Sequence, residues 1–167
     1  CPHPNAVVRS VDTNEAEKMT GVRAVMTGAS KDADILWPWS PDMKTKLFDP
    51  QCRFEGEVVA AVAAETPYQA WDAVRAITVE YEVLPHAVTF EDAMNDGAPA
   101  VREGGNKVPT PNPYQRGDVE AAFKSADVIV EQTYTTGTEL QNPMELHGAV
   151  AKWDGPRLTV WESTQGV

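Results

Sequence analysis

Two short segments of this chain place reactive residue types at close spacing. Pro143-Met144-Glu145-Leu146-His147 offers a carboxylate and an imidazole two positions apart. On a strand, that spacing puts both side chains on one face, within reach of a shared metal or proton. Two ligands do not make a metal site, and the other histidines, His3 and His86, are remote in sequence. Hydrogen bonding at a strand start, or a domain contact, is the plainer reading. Further along stands Ser163-Thr164-Gln165. Ser163 lacks the Gly-x-Ser-x-Gly elbow of a serine nucleophile. Gln165 is more interesting, because a carboxamide donates a hydrogen bond to a metal-bound oxygen without changing charge. Glu55 and Glu57 flank Gly56 and form either a paired carboxylate for acid–base work or a solvated strand entry. Cys1 and Cys52 have no metal-ligand spacing, and an iron–sulfur cluster wants about four cysteines. No residue is therefore assigned as catalytic or as a metal ligand.

The elements that position these residues are legible in part. Alternation over residues 147–153 and 157–162, around Asp154-Gly155-Pro156, predicts a hairpin. Its second strand delivers Ser163-Thr164-Gln165 at a strand exit, where functional side chains often sit. Asp118 caps a short helix over 119–124, and 126–135 reads as a long strand. Upstream, the small apolar residues of 57–64 suit a strand buried on both faces with a helix close by. Thr66-Pro67-Tyr68-Gln69 then starts that helix: a cap, a preset proline and a capping-box partner. Ala70, Trp71, Val74 and Ile77 share one face. Residues 78–83 return as a half-buried strand, ended by Leu84-Pro85. Near the start, Asp12 and Glu15 cap a short helix, Gly21 closes it, and 22–27 is a strand. Residues 28–52 read as an ordered loop, with Trp37 and Trp39 pinning it or lining a ligand site. The Gly- and Pro-rich residues 95–117 form a linker.

At 167 residues the chain holds one domain, or a small domain and part of another. Its 42% hydrophobic residues suffice for a core. A net charge of −11 argues against a non-specific nucleic-acid surface. The longest apolar run, 58–64, is far shorter than the ~20 residues of a membrane span. No signal-peptide pattern is visible, so the reading is cytoplasmic rather than periplasmic. The chain starts at Cys1 rather than Met, and the true N-terminus is expected to be missing or processed.

Taken in order, several segments resemble the large, molybdenum-binding subunit of the xanthine dehydrogenase and aldehyde oxidase family. They are Cys1-Pro2-His3-Pro4-Asn5-Ala6, residues 54–66, Tyr81-Glu82-Val83-Leu84-Pro85, Gly117-Asp118-Val119, Pro143-Met144-Glu145-Leu146-His147 and Ser163-Thr164-Gln165. Leu146 replaces the family's usual proline, and Asn5 stands where a His or Tyr often does. The match omits 28–50 and 98–115. The resemblance implies an α+β fold: an α/β hammerhead domain over 1–95, its first strand missing, a linker over 96–117, and the beginning of a molybdopterin-binding domain over 118–167. It implies an oxidoreductase that hydroxylates an aldehyde or N-heterocycle with water-derived oxygen. The cofactor would be molybdopterin or its cytosine dinucleotide, and Gln165 would hydrogen-bond an oxo ligand of the molybdenum. The glycine-rich element and the base glutamate of the family are absent, so the chain alone is expected to be an inactive fragment that holds no cofactor. Expected partners are the remainder of the subunit and iron–sulfur and FAD subunits. The alternative is a non-catalytic docking module of hammerhead type.

Overall fold

The computed structural model describes residues 1–40, 43–107, 114, 116–137, 139 and 142–164, with backbone only for 37–40 and 43–45. The chain divides into two units, Cys1–Pro113 and Tyr114–Val167.

In the first unit, β1 (Ala6–Asp12) is the middle strand of a three-stranded sheet. On one side β7 (Thr78–Val83) runs antiparallel to it, from Ala6 opposite Val83 to Asp12 opposite Thr78, with a register shift between Val8 and Ser10. On the other side the short β5 (Gln51–Cys52) pairs only with Ala6 and Val7. A second sheet joins β2 (Val22–Thr27) to β6 (Ala60–Ala64), antiparallel. Helices α1 (Asn14–Lys18) and α2 (Pro67–Ala76) pack on each other and on this pair. The buried core is built largely from small side chains: Ala6, Ala16, Ala33, Cys52 and Ala73, with Phe48. Alanines at these points let backbones approach closely, so helix and sheet meet with little side-chain bulk between them.

The structure amends several expectations. The 28–52 segment is not a loop throughout: β3 (Leu36–Ser40) and β4 (Met43–Lys46) form an antiparallel hairpin, and β5 follows. Pro38 lies inside β3, tolerable because that two-stranded hairpin is all edge. The side chains of Trp37 and Trp39 lie outside the described residues. Strand β6 is not buried on both faces; its residues alternate half-buried and exposed, as a strand with a helix on one face should. The inward face of α2 centres on Ala73, while Trp71 and Val74 stay exposed. Thr13, not Asp12, is the N-cap residue of α1, and its side chain makes no cap bond. The Asp12 carboxylate instead accepts from the Asn14 N–H at 3.0 Å, an Asx turn that leads into the helix. A further short helix, α3 (Phe90–Met94), was not foreseen; Thr89 caps it, its hydroxyl accepting from the Asp92 N–H at 3.1 Å.

In the second unit, Asp118 caps α4 (Val119–Ser125) as expected, its carboxylate accepting from the Ala121 N–H at 3.0 Å. Residues 126–135 are exposed and form no strand, although their sequence suits one. A strand needs a ladder partner, and none of the described strands pairs there. The hairpin of β8 (Gly148–Asp154) and β9 (Arg157–Ser163) is formed as expected, from Gly148 opposite Ser163 to Asp154 opposite Arg157. Its two turn residues are Gly155 and Pro156, and Asp154 is the last residue of β8, opposite Arg157. Gly155 takes φ +56, the left-handed first position that a turn of this kind asks of glycine.

Candidate functional site

The open end of the β8–β9 hairpin brings Glu145 beside Ser163. Pairing ends at Gly148 opposite Ser163. Glu145 and His147 precede β8 and are not on a strand, so the same-face spacing expected for them does not apply. Glu145 instead accepts a hydrogen bond, Ser163 Oγ to Glu145 Oε1, at 2.7 Å. This is the structural role that the plainer sequence reading gave it. His147 is exposed. Thr164 is described and is not free. Gln165, the expected cofactor contact, lies outside the described residues. What this end of the hairpin offers is hydrogen bonding. Among the described residues, no group of three or more His, Cys, Asp or Glu could hold a metal ion.

Glu55 and Glu57 do not act as a pair. Glu55 is exposed, whereas Glu57 turns inward. Arg53 reaches Asp49 at 3.2 Å and Glu57 at 3.6 Å, and its backbone N–H donates to Glu57. These three charges stand beside buried Cys52. Burial pushes the Cys52 thiol above its ordinary value, and the negative charge of Glu57 adds to the effect. Burial also raises Tyr81, with Cys52 a further cause, and the Tyr81 ring meets His3 edge-on at 5.3 Å. Buried Asn5 holds the end of β7 in place: its Nδ2 donates to the Pro85 carbonyl at 2.8 Å, and the Asn5 backbone carbonyl accepts from the Leu84 N–H at 2.9 Å. Neither cluster was evident from sequence, because each joins residues whose proximity only the fold creates. A cavity of about 330 Å³ in the first unit is lined by Val8, Ser10, Phe48 and Val59 among others. Two cations at its wall are already paired, Arg9 with Glu82 and Lys46 with Asp34. The Asp34 hydrogen bond raises the Lys46 ammonium above its ordinary value.

Comparison with known proteins gives this arrangement a context. The chain is 34% identical over 163 residues to the nicotinate dehydrogenase large molybdopterin subunit of Eubacterium barkeri, covering 97% of this chain and 38% of that protein. It is 36% identical over 167 residues to a probable xanthine dehydrogenase subunit of Bacillus subtilis, covering 98% of this chain and 22% of the relative. The crystal structure of quinoline 2-oxidoreductase from Pseudomonas putida 86 superposes with a TM-score of 0.76 at 28% identity, over 99% of this chain and 22% of that one. The chain thus spans well under half the length of these relatives. Residues 1–85 match the family described as aldehyde oxidase and xanthine dehydrogenase, a/b hammerhead domain. Residues 102–167 match the molybdopterin cofactor-binding domain. The chain belongs to the aldehyde oxidase and xanthine dehydrogenase family, as a hammerhead domain followed by a portion of its molybdopterin cofactor-binding domain.

Proposed function

We propose that this chain is the N-terminal part of the catalytic subunit of a molybdenum hydroxylase, an enzyme that hydroxylates an aldehyde or N-heterocycle with oxygen taken from water. The observation that carries the reading is the tandem match: a hammerhead domain and then a molybdopterin-binding domain, in that order, in one chain. We assign 1–95 to the hammerhead domain, 96–117 to a linker and 118–167 to the beginning of the molybdopterin-binding domain.

The hairpin end fits the cofactor on its chemistry. A metal that arrives in its own organic ligand asks the protein for orientation and hydrogen bonds rather than for a set of side-chain ligands. Gln165, two positions past the end of β9 in sequence, would supply a group of that kind. The cofactor, molybdopterin or its cytosine dinucleotide, supplies the redox and oxygen-transfer chemistry when bound. Gln165 would hold the cofactor there: a carboxamide can donate an N–H without adding charge. Glu145 accepts a hydrogen bond from Ser163, and we place the catalytic base in the remainder of the subunit rather than at Glu145. Iron–sulfur and FAD subunits take the electrons onward, in the cytoplasm.

The test uses the complete complex in ¹⁸O-labelled water with a panel of aldehydes and N-heterocycles. Product carrying ¹⁸O from water is expected. Product oxygen drawn from O₂, or no product from a complex loaded with molybdenum, would overturn the reading.

A further inference from the structure

The Glu145–Ser163 bond separates the roles of neighbouring polar residues. At the last rung of the hairpin, Ser163 faces Gly148, which brings no side chain to brace it. Among the described residues, nothing lies within 4 Å of where a Cβ at Gly148 would stand. The usual cross-strand side-chain pair is therefore missing at the rung that sets the exit of β9. Glu145, three residues before Gly148, takes its place through the 2.7 Å bond from Ser163 Oγ. A carboxylate acceptor makes this a charge-assisted bond, stronger than one between neutral groups. A serine hydroxyl has a single hydrogen to donate, and Ser163 gives it to Glu145. Ser163 is thus a tether rather than a second donor to the cofactor.

We infer that Glu145 is a positioning residue: its carboxylate holds Ser163, two positions before Gln165 in sequence, and so fixes the exit of β9. The inference rests on the proposed function, in which Gln165 meets the molybdenum–pterin cofactor. It also gives the Glu of the Met-Glu-Leu-His segment a task that needs neither a metal nor a proton transfer.

The test compares Glu145→Ala, Glu145→Gln, Ser163→Ala and the double variant E145A/S163A in the complete complex. The primary readout is backbone hydrogen exchange over 161–167, which needs no turnover. Each alanine variant is expected to speed exchange there about fivefold, the scale of one lost hydrogen bond. The double variant should be no worse than either single one, because both remove the same bond. Glu145→Gln keeps an acceptor oxygen and should recover most of the protection. In turnover, the alanine variants should lower kcat and leave KM within about twofold. Unchanged exchange over 161–167, or additive effects in the double variant, would overturn the inference. Should Glu145→Ala fail to assemble, Ser163→Ala deletes one oxygen atom and tests the bond from its other side. Molybdenum and pterin contents of the parent complex are measured in parallel. Their absence would sink the proposed function, whereas the exchange pattern reports on the tether alone.

Discussion

Arg53 is the residue whose removal the first unit should feel most directly. Its guanidinium lies between Asp49 and Glu57, whose side chains are only 15% and 13% exposed. Carboxylates this far from water depend on the cation between them. Arg53→Ala should cost about 2 kcal/mol, read as a lowered urea midpoint with an unchanged slope. A midpoint shift near zero would mean that water already solvates both acids. Cys52 makes a prediction about pH. Its thiol is raised above the ordinary 9.0, chiefly by burial, so the folded state holds that proton more tightly than the unfolded chain does. The stability this provides is full below the ordinary value and is lost as pH rises through the folded one. Tyr81 is also raised and works in the same direction. Cys52→Ala should therefore lose less stability than the parent as pH rises above 9.0, as followed by circular dichroism. An unchanged alkaline profile would remove Cys52 from the account.

Among the elements, α2 shows how local rules and packing combine. The Thr66 hydroxyl accepts from the Gln69 N–H at 3.3 Å and donates to Gln69 Oε1 at 2.9 Å. Thr66→Ala should cost about 1 kcal/mol, the usual worth of a cap. Gln69 also packs against Gly21, where an added Cβ would stand 2.2 Å from Gln69 Nε2, and Gly21 has φ +83. Gly21→Ala should destabilise by at least about 1 kcal/mol through the left-handed backbone alone. Adding Gln69→Ala should restore only the part due to crowding. Full restoration would show that φ at residue 21 costs nothing. The same helix shows how far the sequence was readable. Its cap and its proline are local chemistry and were legible. Which face it buries was not, because Ala73 rather than Trp71 or Val74 meets the sheet, and large rings dominate a hydrophobic pattern whether or not they are covered. The β3–β4 hairpin escaped notice because the prolines and tryptophans of 36–41 mask its alternation. Residues 126–135 carry a strand's sequence, but that pattern cannot reveal whether a partner strand pairs with them. The Glu145–Ser163 contact was hidden for the opposite reason: the hairpin register that creates it is known only once the turn is placed at Gly155-Pro156.

At the scale of the whole molecule, the second unit exposes more apolar surface than a hairpin and a short helix can hide for themselves. Val150, Trp153, Leu158, Val160 and Trp161 of the hairpin are all exposed. A lone two-stranded hairpin is marginal in water, and three or more strands or a covering helix are needed for stability. Under the proposed function, the remainder of the subunit covers these faces. Amides of β8 and β9 should then exchange at least about a hundredfold more slowly in the complete complex than in the chain alone. Equal rates would mean that nothing covers the hairpin. If this chain is one section of a molybdenum enzyme, the native complex that purifies with it carries the metal. Elemental mass spectrometry of that complex should find about one molybdenum per copy of the chain; an intact complex without molybdenum would rule the assignment out.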